Sequence, residues 1–375
     1  MNAQESRPRV LVFWPEDHNV WHGYFRFFDE FFEQSLAIFA IPKTRLRLRR
    51  RITMLSSSPL RVHGAKALIT RIRPDIVVVY HLFEPSSWPI IFHAIKRRIP
   101  VVVLESMHLP PLAWQRRRSF LVPFLFAALR WLPRVVYNTA LRKRNVQLFC
   151  MTERSQRYMQ GLGFMDVSYG LIPYAHFYTG KRKQPRANDR FSLLYVGRVT
   201  EMKNLPIVIE AVANLQRKGS ITSKTFQFTI VGNGGGDLAF VQERIKQLGI
   251  SALVEFADHV PHERLHEYYR RADLFMMPSF DVLGAVTLEA LEHEVPVLIA
   301  DTSGFSTLMK PHAAKLIFRQ NDVVDLTRKL AWCIKHRKQL PAMGTYLAKH
   351  FAAEEIRGRK ALAALMSAKT HEAKT

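Results

Sequence analysis

The chain has 375 residues, with 55 Lys and Arg against 31 Asp and Glu, two cysteines and 48% hydrophobic residues. That length and apolar content support two packed domains, or one large one, and exclude both a disordered chain and a disulfide-stapled secreted scaffold. The net charge of +24 calls for an anionic partner: nucleic acid, an anionic membrane or a phosphorylated ligand.

The excess charge is uneven. Residues 1–180 carry 26 basic and 11 acidic side chains, and residues 181–375 carry 29 and 20. Two cysteines, Cys150 and Cys333, suit a reducing cytoplasm. The first apolar run, Val10 to Trp14, is short and follows a polar start, so no secretory signal is expected. Phe120 to Leu129, the longest charge-free apolar stretch, is too short to span a bilayer.

Residues 9–14 predict a buried strand, followed by a polar turn and an aromatic segment from Tyr24 to Phe39. Asp75 to Tyr80 and Ile99 to Leu104 are continuous β-branched runs of the kind found in parallel α/β sheets. Tyr174 to Arg190 is polar and basic and reads as a linker. A second α/β unit opens with a strand at Ser192 to Val196, after which Asn204 is expected to cap a helix with Pro206 in its first turn. Phe226 to Val231 is the next strand. Asp237 opens a helix with Leu238, Val241, Ile245 and Leu248 on one face, and Gly249 stops it. Leu253 to Phe256, Leu274 to Met277 and Val297 to Ala300 supply three more strands.

The expected fold class is α/β, with two Rossmann-like domains facing each other across a cleft. The boundaries are 1–175, a linker at 176–190, a second domain at 191–345, and a helical segment at 346–375 packing back toward the first.

Two segments carry the chemistry. In Tyr195-Val-Gly197-Arg198-Val-Thr-Glu-Met-Lys203-Asn, a strand ends in a glycine that lets the backbone approach a ligand. Arg198 and Lys203 follow at the carboxyl edge of the sheet, where they can neutralise a diphosphate without a metal ion; a solvated basic turn fits this segment equally well. In Pro278-Ser-Phe-Asp281-Val-Leu-Gly284-Ala-Val-Thr-Leu-Glu289-Ala, Gly284 lies where a helix should start and its N–H groups can hold a phosphate. Asp281 and Glu289 can accept hydroxyl hydrogens from a sugar or ribose. A buried Glu289 must face a cleft, a basic partner or solvent, because an unpaired buried carboxylate is costly.

The order of these segments resembles glycosyltransferase family 4, retaining enzymes of the GT-B fold that use nucleotide sugars. The motifs are Val-Gly-Arg…Lys-Asn, Ile-Val-Gly-Asn-Gly, Tyr-Tyr-Arg-Arg-Ala-Asp-Leu-Phe-Met-Met-Pro-Ser, and Gly-Ala-Val-Thr-Leu-Glu-Ala with Pro-Val after it. The resemblance runs from about Leu148 to about Leu308. It implies that Arg198 and Lys203 hold the donor diphosphate, Asp281 the transferred sugar and Glu289 the ribose, with Gly197, Gly232 and Gly284 lining the donor site. Departures are Asp281 at the first position of a paired-glutamate motif, Leu283 for an aromatic residue, and Glu294 where a glycine usually precedes Pro-Val. Pro173-Tyr-Ala-His also replaces the usual hinge sequence.

Two strings invite other readings. His262-Glu-Arg-Leu-His266 matches a zinc-protease string, but Pro261 places it at a helix start and no third ligand is evident, so no metal is expected. Gly232-Asn-Gly-Gly-Gly-Asp237 has Asp where a dinucleotide fingerprint needs glycine, and reads as a tight turn near the donor. No cofactor beyond the nucleotide-sugar co-substrate is expected.

In the first half, Glu105 and His108 follow the strand Val101 to Leu104, where the family often places a functional histidine. They are the catalytic candidates together with Asp281, and His81 stands at a second strand end. The segment Arg116-Arg117-Arg118-Ser-Phe120-Leu-Val-Pro-Phe124 to Trp131-Leu-Pro-Arg134 combines an apolar helical face with flanking cations, as an interfacial helix requires. Core packing explains the apolar face equally well. The arginine clusters, with Lys43 to Arg51 and Arg142 to Arg144, favour the membrane.

The combined expectation is a retaining glycosyltransferase, peripheral on the cytoplasmic face of the cell membrane. It would transfer sugar to a lipid-linked or glycan acceptor in bacterial lipopolysaccharide or surface polysaccharide synthesis. Nucleic acid is not favoured as a partner. The rival is a non-catalytic membrane- or nucleic-acid-binding protein with a decayed donor site.

Overall fold

The computed structural model describes residues 9–13, 36–41, 53–56, 62–82, 87–106, 131–171, 190–232, 236–279 and 284–372. The chain divides into two units, Met1–Ala175 with Glu354–Thr375, and His176–Ala353.

The first unit is built on strands β1 (Arg9–Phe13), β2 (Leu36–Ile41), β3 (Thr53–Ser56), β4 (Ile76–Tyr80), β5 (Val101–Glu105), β6 (Val146–Cys150) and β7 (Val167–Tyr169). Among the described residues their order is β3-β2-β1-β4-β5-β6-β7, with every pair parallel. Each residue of β4 and β5 is buried, so this sheet needs cover on both faces. Helices α1 (Val62–Ile72), α2 (Ser87–Lys96) and α3 (Glu153–Gly161) contribute that cover. Ile69, Ile90, Ile91 and Met159 share one core with Val77, Val79, Val101 and Val103. The runs at 9–14, 75–80 and 99–104 thus form strands where the sequence predicts them. β2, β3, β6 and β7 were not assigned from sequence.

The second unit contains β8 (Phe191–Val196), β9 (Phe226–Val231), β10 (Val254–Ala257), β11 (Leu274–Met277), β12 (Val297–Ala300) and β13 (Ile317–Phe318). They lie in the order β10-β9-β8-β11-β12-β13, again all parallel. The helices are α4 (Leu205–Arg217), α5 (Leu238–Gln247), α6 (Leu265–Arg271), α7 (Ala285–Glu292), α8 (Ser306–Ala313) and α9 (Val323–Lys335). Asn204 and Asp237 occupy the expected N-cap positions of α4 and α5, but neither side chain makes the capping bond. Asn204 instead adopts a left-handed φ of 52° and donates its amide to Asn321 Oδ1 at 3.0 Å. Its side chain is drawn away from the helix by a loop 117 residues on.

Helix α10 (Leu340–Glu372) begins in the second unit, and from Glu354 its residues belong to the first. It meets each unit at a glycine. A Cβ on Gly344 would strike the Glu294 carbonyl, and one on Gly358 would strike the backbone of Leu171. Among the described residues no helix is long and apolar enough to cross a membrane. Cys150 and Cys333 are both buried free thiols.

In each sheet the chain winds outward in both directions from a central pair, β1 and β4 in the first unit and β8 and β11 in the second. Open parallel sheets bind ligands beyond the carboxyl ends of such a pair. Those ends carry His81 after β4, Gly197 after β8 and Ser279 after β11.

Candidate active site

The second unit brings Gly197 and Gly232 together. Val196 pairs with Val231, so the two glycines leave the sheet side by side. Gly197 has φ +150° and Gly232 +117°, and a Cβ on Gly232 would collide with the Gly197 carbonyl. Both positions therefore need glycine, one for its backbone angle and the other also for its close neighbour.

The chain then turns through Arg198 to the 3₁₀ turn Glu201–Lys203. The Tyr195 hydroxyl donates to the Arg198 carbonyl at 2.8 Å and pins the start of this loop. Burial pushes the Tyr195 phenol well above its usual range and keeps it a donor. Arg198 is exposed, whereas Lys203 is drawn inward. Burial, and then the charge of Arg198, lower the Lys203 ammonium to about 8. A partly buried lysine and a neighbouring arginine that follow a glycine-lined sheet end make an anion-binding arrangement.

Gly284 occupies the N-cap position of α7 and is buried. A Cβ there would run into the Met277 side chain at the end of β11. Asp281 falls outside the described residues. Glu289 lies one helical turn further along α7, buried, and is held from two sides. Tyr269 Oη donates to Oε2 at 2.7 Å, and His262 Nε2 lies 3.3 Å from Oε1. His293 Nδ1 reaches the Glu289 carbonyl at 2.7 Å, and its ring stacks on Tyr269 with centroids 5.2 Å apart. The Glu289 hydrogen bond raises His262 above the ordinary imidazole value, while burial lowers His293.

The sequence leaves Glu289 a cleft, a basic partner or solvent, and the structure gives it two side-chain partners. One partner, His262, comes from the string that mimics a zinc motif, and the other, Tyr269, follows that string on α6. His262 sits in a 3₁₀ turn ahead of α6 and faces Glu289, whereas His266 Nδ1 turns back to the Glu263 carbonyl at 2.6 Å. Among the described residues no three His, Cys, Asp or Glu side chains come together as a metal-binding group.

Glu294 explains its own departure. Its φ is +57°, a conformation that favours glycine, and the side chain is held by the Thr345 hydroxyl at 3.0 Å. A glutamate is thus accommodated where the backbone favours glycine.

In the first unit, β5 runs one residue beyond the paired end of β4, which sets Glu105 beside His81. Glu105 is fully buried. His81 Nδ1 lies 2.7 Å from Oε1, and the Leu82 N–H donates to Oε2 at 3.1 Å. His81 itself has φ +64° and packs on Tyr80 with ring centroids 3.8 Å apart. Around the pair, Tyr80 Oη bonds Ser106 Oγ at 2.7 Å and Ser155 Oγ donates to the Ser106 carbonyl. A buried carboxylate with two donors is an orienting device, and the tautomer it favours carries its hydrogen on His81 Nδ1.

His108, Arg116, Arg117, Arg118, Phe120 and Phe124 lie outside the described residues. Trp131 is described, lies in a helical stretch and is 57% exposed, with Leu132 at 58%. Lys143 and Arg144 are exposed nearby in sequence, while Arg142 pairs with Asp166.

Two Rossmann-like units with parallel sheets define the GT-B class of fold, and solved structures of that class superpose on nearly the whole chain. Sucrose-phosphate synthase from Thermosynechococcus elongatus gives a TM-score of 0.71 at 15% identity, covering 98% of this chain and 99% of that one. Anabaena HepE in complex with UDP and glucose gives 0.73 at 14%, covering 96% and 100%. Residues 179–350, nearly all of the second unit, match the family described as "Glycosyl transferases group 1". A D-inositol 3-phosphate glycosyltransferase from Nocardia farcinica is 32% identical over 163 residues, which is 42% of this chain and 36% of that protein. Its counterpart in Geodermatophilus obscurus is 28% identical over 167 residues, or 43% and 37%. The matched region spans little more than a third of the length of these curated relatives.

Proposed function

We propose that this protein is a retaining hexosyltransferase that moves a sugar from a nucleotide-sugar donor to a membrane-associated lipid or glycan acceptor. The observation that carries the reading is the Gly197–Gly232 cradle with Arg198 and Lys203 above it, inside the region that matches the glycosyl transferases group 1 family. In this reading the two cations take the charge that develops on the departing diphosphate, an electrostatic role that needs no metal. The α7 N-terminus at Gly284 takes a phosphate oxygen, Asp281 the transferred sugar and Glu289 the ribose. HepE, whose fold is shared, is known bound to UDP and to UDP-glucose, which supports a nucleotide sugar as ligand here.

The first unit serves the acceptor, with Glu105 holding His81 at the sheet's central pair and His108 following on the same side of β5 in sequence. The basic excess of residues 1–180 and the exposed Trp131 and Leu132 support docking on an anionic inner membrane surface. Lipopolysaccharide or another bacterial surface polysaccharide is the product class this setting suits.

A thermal-shift panel of nucleotide sugars tests the donor assignment. One of them at about a hundredfold over its Kd should add roughly 2.7 kcal/mol of stability, a shift of several degrees. A flat panel would overturn the assignment. The membrane assignment is tested by flotation: the protein should rise with anionic vesicles and not with neutral ones, and salt should release it. Flotation with neither kind of vesicle would sink it.

A further inference from the structure

We infer that His262 is a positioning residue of the nucleoside site, which orients the Glu289 carboxylate toward the ribose and sets how well the nucleoside half of the donor is recognised. This rests on the donor reading above. It assigns a role to a residue that the sequence pattern associates only with a metal string.

Glu289 is buried and held by hydrogen bonds. Its backbone carbonyl is engaged by His293, its Oε2 by the fully buried Tyr269, and its side chain is only 11% exposed. The remaining Oε1 faces His262, whose side chain is 45% exposed. His262 is therefore the one member of this network with substantial contact with solvent. A ribose hydroxyl that reaches Oε1 from outside meets the imidazole at the same place.

The local chain supports a fixed ring. Pro261 presets the entry, and the 3₁₀ turn His262–Arg264 leads directly into α6, which also carries Tyr269. One short segment thus supplies both groups that hold Glu289, and the carboxylate's rotamer follows from that segment's position. The hydrogen bond with Glu289 raises His262, opposed by burial and aided by the charges of Glu289, of Glu263 beside it in the chain and of Glu292 on α7. Their combined effect favours the imidazolium, which donates to Oε1 and leaves that oxygen's other lone pair for the ribose.

The test uses calorimetric titration of the full-length protein with UDP, GDP, ADP and inorganic pyrophosphate. His262→Ala should weaken the preferred nucleoside diphosphate about tenfold and change pyrophosphate affinity less than twofold. His262→Gln, which can still donate to Oε1, should recover most of the loss. The ratio of nucleoside diphosphate to pyrophosphate affinity should fall with rising pH in the parent protein as His262 loses its proton. In His262→Gln it should stay flat, because Lys203 acts on both ligands alike. Equal loss of both ligands, or no loss, overturns the assignment for His262. A parent protein that binds none of the three nucleotides overturns the donor reading itself, and the inference falls with it.

Discussion

Lys203→Met should produce a protein that is more stable than its parent at pH 7 and far slower as a transferase. The ammonium is ionised at that pH although burial and Arg198 have lowered it to about 8. In the unfolded chain the same group titrates near 10.5. Below pH 8 both states hold the proton, so the full cost of burying the charge is present there. Between about pH 8 and 10.5 the unfolded state binds more protons, and stability should rise with pH across that window. Methionine fills much the same volume without a charge, removes the cost and abolishes the rise. We expect a higher Tm at pH 7 and a loss of roughly 10³-fold in kcat/KM for the donor, the scale seen when one charge-stabilising group is removed. A diphosphate should also return the proton: at pH 8 to 9 the parent should take up a fraction of a proton on binding UDP. That uptake appears as a dependence of the binding enthalpy on the buffer's ionisation heat. Parent-like turnover in Lys203→Met would remove Lys203 from the diphosphate site.

Glu105→Gln should slow transfer about 10²-fold while leaving the KM for the donor within a few-fold of its parent value. Glu105 is fully buried, and its acceptor oxygens face His81 Nδ1 and the Leu82 N–H. A glutamine of the same shape can turn its amide N–H toward Nδ1, which moves the ring hydrogen to Nε2 and costs the imidazole its lone pair there. His81→Gln should be at least as slow, and the double variant no slower than the worse single one, because the two act as a unit. A loss confined to donor KM, or additive losses in the double variant, would show that the pair is structural only.

These two sites were legible to different degrees. The glycine and cation motif after β8 is local, so spacing alone places Gly197, Arg198 and Lys203 on one turn. The His81–Glu105 pair depends on strand register across 24 residues. Both residues were marked as strand-end candidates, but only the one-residue overhang of β5 beyond β4 makes them partners. Glu289 shows the opposite difficulty. Its charge leaves a cleft, a basic partner or solvent open, and His262, which holds it, sits in a string whose spacing suggests zinc. The long runs of valine and isoleucine announced β4 and β5. β3, β7 and β13, of four, three and two residues, are too short to show any period, and their pairing comes from neighbours in the sheet. The sequence divides the second domain from the C-terminal segment at 345. Helix α10 runs through that point without interruption, because Gly344 serves the packing against Glu294 and does not end the helix.

That helix also bears on the order in which the molecule is made. Residues 354–375 belong to the first unit, with Gly358 against Leu171 and with Leu362 and Met366 buried, yet they follow the whole second unit in the chain. Domains commonly fold in turn as they leave the ribosome. Here the leading unit must wait for its last apolar contacts until the trailing one has been synthesised, so the second unit can close before the first. During that interval the partly closed first unit carries both an unfinished core and most of the excess positive charge, which makes it the part of the nascent chain most in need of a chaperone or of the anionic surface it is proposed to serve.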